Sequence, residues 1–316
     1  METWRTWVLL AHIKWFTDPK PHPTDWSLLL SLTALAAFAV ALVAAGVAYV
    51  IQHRVREPAI MQTFERFATV APTVLGLHVG IALLVSALVG ALFSPNLRPN
   101  DDLPGHAILV VEAMCGVMLL LGLGARAAAV LLAVLGLVAM LPFTFESILE
   151  NVHVLGIAIF FFIVGRGPFS LDRIRGVKPP LRNDEAPTWA LTLLRVCLGV
   201  AIAFSALTEK LLDPGLAKAL LDERPFLNIA RPLGMADPQF AYLAGLTELV
   251  VGIVVISGQL TRPVMAVSAL LFTLTLPVFG WTEFLGHLPF YGIMFVLFMV
   301  PNADSWQAKR QLRPAA

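Results

Sequence analysis

The sequence predicts an all-α integral membrane protein: nine transmembrane helices, built as two fused four-helix bundles plus one extra N-terminal helix. Two observations carry this. Apolar residues make up 58% of the chain and charged ones 14%. With a mean hydropathy of +0.80, that leaves too little polar surface for a soluble chain of this length. In addition, two stretches repeat each other at a constant offset of 136 residues. Glu112, Gly116, Gly122 and Arg126 recur as Glu248, Gly252, Gly258 and Arg262, and Gly156-Ile157 recurs as Gly292-Ile293. A charge inside a membrane span costs about 2.5–3.5 kcal/mol on insertion scales. Placing it twice, with the same glycines behind it, points to a duplicated module with a polar interior.

Spans of the roughly 20 apolar residues that a bilayer requires fall at 26–50, 73–93, 106–124, 127–143, 147–165, 189–209, 240–258, 263–280 and 285–301. Gly124-Ala125-Arg126 joins the third to the fourth as a tight turn, and Leu260-Thr261-Arg262-Pro263 joins the seventh to the eighth. Pro142 and Pro277 end the corresponding helices, because proline disrupts a helix interior. Ahead of the first span, Trp4, Trp7 and Trp15 predict an interfacial helix over 2–16, stopped by Pro19, Pro21 and Pro23. This stretch lacks the charged region, apolar run and small-residue site of a cleavable signal.

The units follow. Residues 1–70 hold the interfacial segment and the first span, 71–172 unit one, 173–185 a cytoplasmic linker, 186–304 unit two and 305–316 a cytoplasmic tail. Both units open on the same tripeptide, Ala71-Pro72-Thr73 and Ala186-Pro187-Thr188. Unit two alone carries an insertion, 214–236, broken up by Pro214, Pro225, Pro232 and Gly234. It is expected to lie on the membrane surface or to cap the bundle.

Lys and Arg set the orientation. Nine spans put thirteen of them on one side, among them Arg54, Arg126, Arg173 and Lys309, and eight on the other. The richer side is expected to be cytoplasmic, which places the N-terminus outside, the C-terminus inside, and the whole in a bacterial-type cytoplasmic (inner) membrane. The net charge of +1 builds no basic face and argues against nucleic acid. Cys115 and Cys197 sit in apolar runs with no CxxC, CxxCH or zinc spacing, so they read as buried small hydrophobes.

On this topology Asp101, Asp102, His106, Glu146, Glu150, His153, Glu283 and His287 all fall on the outer side. Glu150 and His153 (i, i+3) share a helix face, as do Glu283 and His287 (i, i+4). Carboxylate with imidazole suits a metal or a proton relay; a solvated or capping rim is the plainer alternative. Deeper lie Glu112, Glu248, Arg195 and His78. Pairing softens the desolvation of intramembrane charges, so His78 is expected to meet Glu112 and Arg195 to meet Glu248. Such pairs either fix helix register or frame a polar pocket. Arg126 and Arg262, at cytoplasmic turns, are expected to snorkel or contact phosphate.

Glu112-(x)3-Gly116-(x)5-Gly122-(x)3-Arg126, followed by a helix and then Gly167-Pro168-Phe169-Ser170-Leu171-Asp172, resembles the DoxX/DoxD-like family of small four-helix membrane proteins. In unit two, Leu194-Arg195-Val196-Cys197-Leu198-Gly199 and Glu209-Lys210-Leu211-Leu212-Asp213-Pro214 resemble that family's opening. Unit one has His78 where the Arg is expected and no counterpart of Lys210, and unit two closes on Pro301-Asn302-Ala303-Asp304. The resemblance implies a membrane module, often redox-linked, without fixing a reaction; the first reading is a quinone-linked redox membrane subunit, part of a quinone-dependent oxidoreductase, working with a periplasmic or membrane redox partner. No cofactor motif is evident in the sequence, and a quinone is the one the resemblance suggests. The expected ligand site is bounded by Arg195, Glu209, Lys210 and Glu248 under the 214–236 cap, with His78 and Glu112 as the weaker counterpart. The alternative is a non-enzymatic carrier of a small solute or metal, or an assembly scaffold.

Overall fold

The computed structural model of the chain describes residues 13–55, 57–177 and 186–300, with side chains omitted at 277–279. Trp4, Trp7 and most of the expected interfacial helix lie outside the described residues, as do Arg56, Lys178, Arg182 and everything from Pro301 onward. Among the described residues the chain is all-helical. Six helices are long and apolar enough to cross a membrane, and three shorter apolar ones accompany them. The chain is a multi-pass membrane protein.

In chain order the apolar helices are α1 (Leu32–Arg54), α2 (Ala71–Leu88), α3 (Leu103–Leu121), α4 (Ala125–Val134), α5 (His153–Val164) and α6 (Thr188–Ala206). The insertion supplies α7 (Pro214–Glu223), followed by α8 (Asp237–Ser257). The last two are α9 (Thr261–Leu276) and α10 (Gly280–Met299). Local chemistry sets the ends. Asp102 accepts from the Gly105 amide at the start of α3, and Asp213 does so from Leu216 at the start of α7, satisfying amides that no helical carbonyl reaches. Gly122 (φ 62°) ends α3 and Gly258 (φ 74°) ends α8, a left-handed conformation that glycine adopts without steric penalty.

Several expected boundaries shift. Residues Trp26–Leu30 form a 3-10 turn capped by Asp25, so α1 starts later than predicted. The fifth span is interrupted at Asn151–Val152, between a short helix Phe145–Glu150 and α5. Helical backbone continues past Pro277 and breaks instead at Gly280 (φ 72°, ψ −157°). Both α4 and α6 end in a π-turn, Leu135–Ala139 and Leu207–Leu211.

The duplication is visible in the closest helix contacts. A Cβ on Gly80 would stand 2.8 Å from the Gly116 carbonyl oxygen, and one on Gly199 would stand 2.8 Å from that of Gly252. These two glycine pairs bring α2 onto α3 and α6 onto α8 at backbone contact, as small residues do between membrane helices. The last helix of each unit packs on the first helix of the other. A Cβ on Gly156 of α5 would meet Cys197 of α6 at 2.9 Å, and one on Gly292 of α10 would meet Leu75 of α2 at 2.8 Å. The repeated Gly-Ile pair thus forms the seam between the units. Helix α1 lays Ala34, Ala37 and Ala41 against Ala203, Ala206 and Leu249 of unit two. Residues Ile13–Trp15 form a 3-10 turn, and Ile13 and Phe16 are buried against Leu216, Leu220 and Leu227 of the insertion. This described end of the N-terminal segment is packed under the cap rather than lying at an interface.

Candidate functional site

The insertion, the N-terminal turn and the ends of α6, α8, α9 and α10 enclose a cavity of about 410 Å³. Its wall is mostly apolar: Leu220, Leu227, Phe240, Phe272 and Phe290 contribute. Four ionisable side chains line it, Lys210, Glu248, Glu283 and His287. The π-turn at the end of α6 places Lys210 there; its chain lies on Gly245, where a Cβ would come within 2.9 Å of the Lys210 Cβ. Such turns add a residue to the helical repeat and redirect side chains, often at functional positions.

Lys210 Nζ donates to Glu248 Oε2 at 2.7 Å and lies 3.9 Å from Glu209 Oε2. Glu209 is itself fixed by the Ile13 amide at 2.6 Å. On the opposite wall Thr275 donates to Glu283 Oε1 at 2.7 Å, and His287 Nδ1 lies 3.2 Å from the same oxygen. Glu283 Oε2 is buried with no hydrogen-bond partner among the described residues. The imidazole of His287 stacks on Phe272 at 4.3 Å between ring centroids and faces Trp15 at 5.4 Å.

Beside the cavity lies a second polar group. Lys14 Nζ donates to Glu150 Oε1 at 2.5 Å and to Glu146 Oε2 at 3.3 Å. Thr208 donates to Glu150 at 2.5 Å, and Thr24 donates to Glu146 at 3.0 Å. Burial works to lower the Lys14 ammonium, but the Glu150 and Glu209 carboxylates outweigh it and hold its pKa above the ordinary value.

Two expected pairs do not form. Arg195 does not reach Glu248: its guanidinium donates to the carbonyls of Val255 and Ile256, at 2.5 and 2.6 Å, at the C-terminus of α8. There it meets the negative end of the helix and satisfies carbonyls with no helical donor. Unit one has the same device with a different arginine. Arg166, from the far end of α5, donates to Leu119 and Leu120 at 2.9 Å each, the positions that match Val255 and Ile256 at the repeat offset. His78 does not reach Glu112 either. Its Nδ1 lies 2.8 Å from the Val74 carbonyl of its own helix, and it faces Gly292 of the other unit. Glu112, fully buried, accepts instead from the Phe93 amide at 2.7 Å, which secures a loop whose Phe93 has φ 63°.

Of the other acids and histidines, Asp102 caps α3 and His106 lies exposed 3.5 Å from Asp101. The helix break separates Glu150, turned to Lys14, from His153, which packs on Phe290 at 4.5 Å. Among the described residues no three His, Cys, Asp or Glu side chains gather as a metal site. Arg126 is exposed and donates to the Phe162 carbonyl. Arg262, expected to snorkel, is buried in ion pairs with Glu57 at 2.9 Å and Glu65 at 3.2 Å. Sequence reasoning missed Lys14, Thr208, Thr275 and Arg166. Lys14 sits in a tryptophan-rich stretch that reads as interfacial, and Arg166 does not align with Arg195, so neither carried a usable signal.

The DoxX family model matches residues 85–146 and 190–282, one segment in each half of the chain. No curated protein and no solved structure matches it.

Proposed function

We propose that this chain, which belongs to the DoxX family, binds a lipid-soluble quinone in the unit-two cavity and serves as the quinone-linked membrane subunit of a redox system whose electrons come from a partner protein. The observation that carries this reading is the cavity's two-sided character. Lys210, Glu248, Glu283 and His287 line it, while Ile229, Leu271 and Leu274 line it and are also exposed on the outside of the fold. In a membrane protein such a side faces lipid, so a hydrophobic molecule can enter laterally and bring a polar head to the charged wall. The residues fit that head: a cation, an imidazole–carboxylate pair and the unpartnered Glu283 Oε2 stand in an apolar enclosure.

A bound quinone supplies carbonyl oxygens that take up electrons and protons. Lys210 has three donor hydrogens and is placed to donate one to such an oxygen while keeping its bond to Glu248. The Glu283–His287 pair is placed to hold a proton at Nδ1 or Oε1 and pass it on. The α7 cap and the Ile13–Trp15 turn cover one end of the cavity with apolar side chains. In this reading the nine apolar helices all span the inner membrane as two four-helix units related by a pseudo-twofold axis along its normal. The cavity faces outside and Arg195 joins the cytoplasmic set of basic residues.

A second reading is favoured by a separate observation. The break at Gly280 and the π-turn at 207–211 flank the cavity, and interrupted helices in duplicated units are how carriers build midplane sites. Titration of a short-chain ubiquinone analogue into protein reconstituted in nanodiscs, followed by tryptophan fluorescence, separates the two. Saturable binding weakened about tenfold (~1.4 kcal/mol) by Lys210→Ala or His287→Ala supports the first. Absence of saturable binding with solute flux in proteoliposomes supports the carrier.

A further inference from the structure

The cavity wall presents one polar group of each hydrogen-bonding kind. Lys210 Nζ spends one of its three hydrogens on Glu248 at 2.7 Å and offers a donor. Glu283 is fully buried, lines the cavity, and its Oε2 has no hydrogen-bond partner among the described residues. A buried polar oxygen left unpaired loses its hydration without compensation. The surroundings make this oxygen an acceptor. Its twin, Oε1, lies 2.7 Å from the Thr275 hydroxyl and 3.2 Å from His287 Nδ1. The Thr275 hydroxyl also stands 2.7 Å from the Phe272 carbonyl oxygen, so it has one hydrogen to place between the two. Given to Oε1, that hydrogen completes a carboxylate contact; given to Phe272, it leaves a proton on Oε1 to complete the same contact. Both arrangements leave Oε2 bare. Glu283 also lies in the first turn of α10, just past the break at Gly280, where the amide end of a helix favours an oxygen acceptor.

We propose that the cavity binds the hydroquinone form of its ligand in preference to the quinone, and that Glu283 Oε2 makes the distinction by accepting a hydrogen bond from a ligand hydroxyl. Carbonyl oxygens of a quinone only accept, whereas the hydroxyls of a hydroquinone both donate and accept. Lys210 serves either form, since both bring it an oxygen. Glu283 serves only the form that brings a hydrogen, and the quinone leaves its oxygen dry. The inference rests on the quinone reading and adds to it the redox state that the site retains. We expect a preference of about tenfold (~1.4 kcal/mol). By linkage, tenfold tighter binding of the reduced form raises the potential of the bound two-electron couple by about 30 mV over the same couple free in the bilayer. That shift favours uptake of electrons from a partner protein by the bound ligand.

The test is calorimetric titration of the full chain in nanodiscs, with oxygen excluded and the heat of empty nanodiscs subtracted. Three ligands are compared: decylubiquinone, decylubiquinol, and the dimethyl ether of decylubiquinol, which keeps the ring oxygens and lacks both hydroxyl hydrogens. The quinol should bind about tenfold more tightly than the quinone and more tightly than the ether. Glu283→Gln keeps the size of the side chain and, with its oxygen on Thr275, puts an amide donor in the place of Oε2; it should abolish or invert the preference. The comparison of ligands in the parent protein decides the matter even if that variant does not fold. Equal affinity for quinol and quinone, an ether that binds as tightly as the quinol, or a preference that survives in folded Glu283→Gln overturns the proposal and leaves the quinone reading in place. Absence of saturable binding by all three ligands removes both.

Discussion

Replacing Lys210 with methionine keeps the length of the side chain and removes its charge. In the structure this takes from Glu248 its 2.7 Å donor and from Glu209 its neighbour at 3.9 Å. Breaking a buried pair by deleting one partner costs about 3–5 kcal/mol, because the remaining charge stays desolvated. Two features put this case at the lower limit. The Glu248 side chain is 35% exposed, so solvent screens part of its charge, and Glu209 keeps the Ile13 amide. We expect Lys210→Met to destabilise the detergent-solubilised protein by about 3 kcal/mol, and Glu248→Gln by about 1–2 kcal/mol, since Lys210 then retains Glu209. The double variant removes the orphaned charge together with its partner and should recover about 1 kcal/mol relative to the sum of the singles. The assay is equilibrium unfolding of all four proteins under one detergent condition. Additivity within about 0.3–0.5 kcal/mol would mean that the pair does not interact, and the argument from the π-turn to the cavity wall would fail with it.

Other outcomes follow from the same geometry. Arg195→Gln and Arg166→Gln, which uncap equivalent carbonyls, should lower stability alike, by about 2–3 kcal/mol each from lost charged hydrogen bonds; a marked difference in thermal unfolding would refute their equivalence. Gly252→Val places a side chain where the α6 backbone approaches and should destabilise by at least about 1–3 kcal/mol, whereas Gly46→Val on α1, with open space around it, should not. Ile229→Trp, at the lipid-facing side of the cavity, should slow quinone-analogue association in stopped-flow fluorescence with little change in stability; an unchanged rate places the portal elsewhere. Lys14 has a raised pKa, so on the alkaline side its ion pairs persist past neutral pH and fade as the solution becomes strongly alkaline; the stability gap between parent and Lys14→Met should shrink over that range.

The fold was legible in this sequence because its determinants are local or repeated. Apolar run length marked each helix, and the offset between Glu112 and Glu248 marked the duplication. The glycines that follow those acids turned out to be the positions where α3 and α8 meet their partners. The polar partners were not legible, because they depend on where a side chain from elsewhere in the chain arrives. Arg195 and Glu248 lie on adjacent helices and each needs compensation, so pairing them was the economical expectation. A helix terminus offers an arginine compensation too, through carbonyls that the sequence does not display. Lys14 could not have been placed by any periodicity, since its position follows from a short turn buried beneath the insertion.

The two units show what duplication preserved and what it released. Backbone-level contacts are kept in both: glycine against glycine within each unit, Gly156 and Gly292 at the seam, an arginine on the same two carbonyls. Carboxylate partners are not. Glu112 accepts a backbone amide and closes a loop, a static arrangement. Glu248 accepts from a lysine that a π-turn delivers to a cavity wall. The insertion that roofs that cavity exists in unit two alone, and the N-terminal turn closes on it there. If the ancestral carboxylate had only fixed helix register, either partner would serve equally and nothing would favour enclosing one of them. The asymmetry is explained if unit one was retained as the packing template and unit two took up the ligand. Exchange of the partners tests this. In Lys210→Ala, which returns Glu248 to the state of a carboxylate without an ammonium, quinone affinity should fall, while Glu112→Gln should alter stability and leave the affinity of the folded fraction unchanged. Loss of affinity in Glu112→Gln equal to that in Lys210→Ala would show that unit one shares the site.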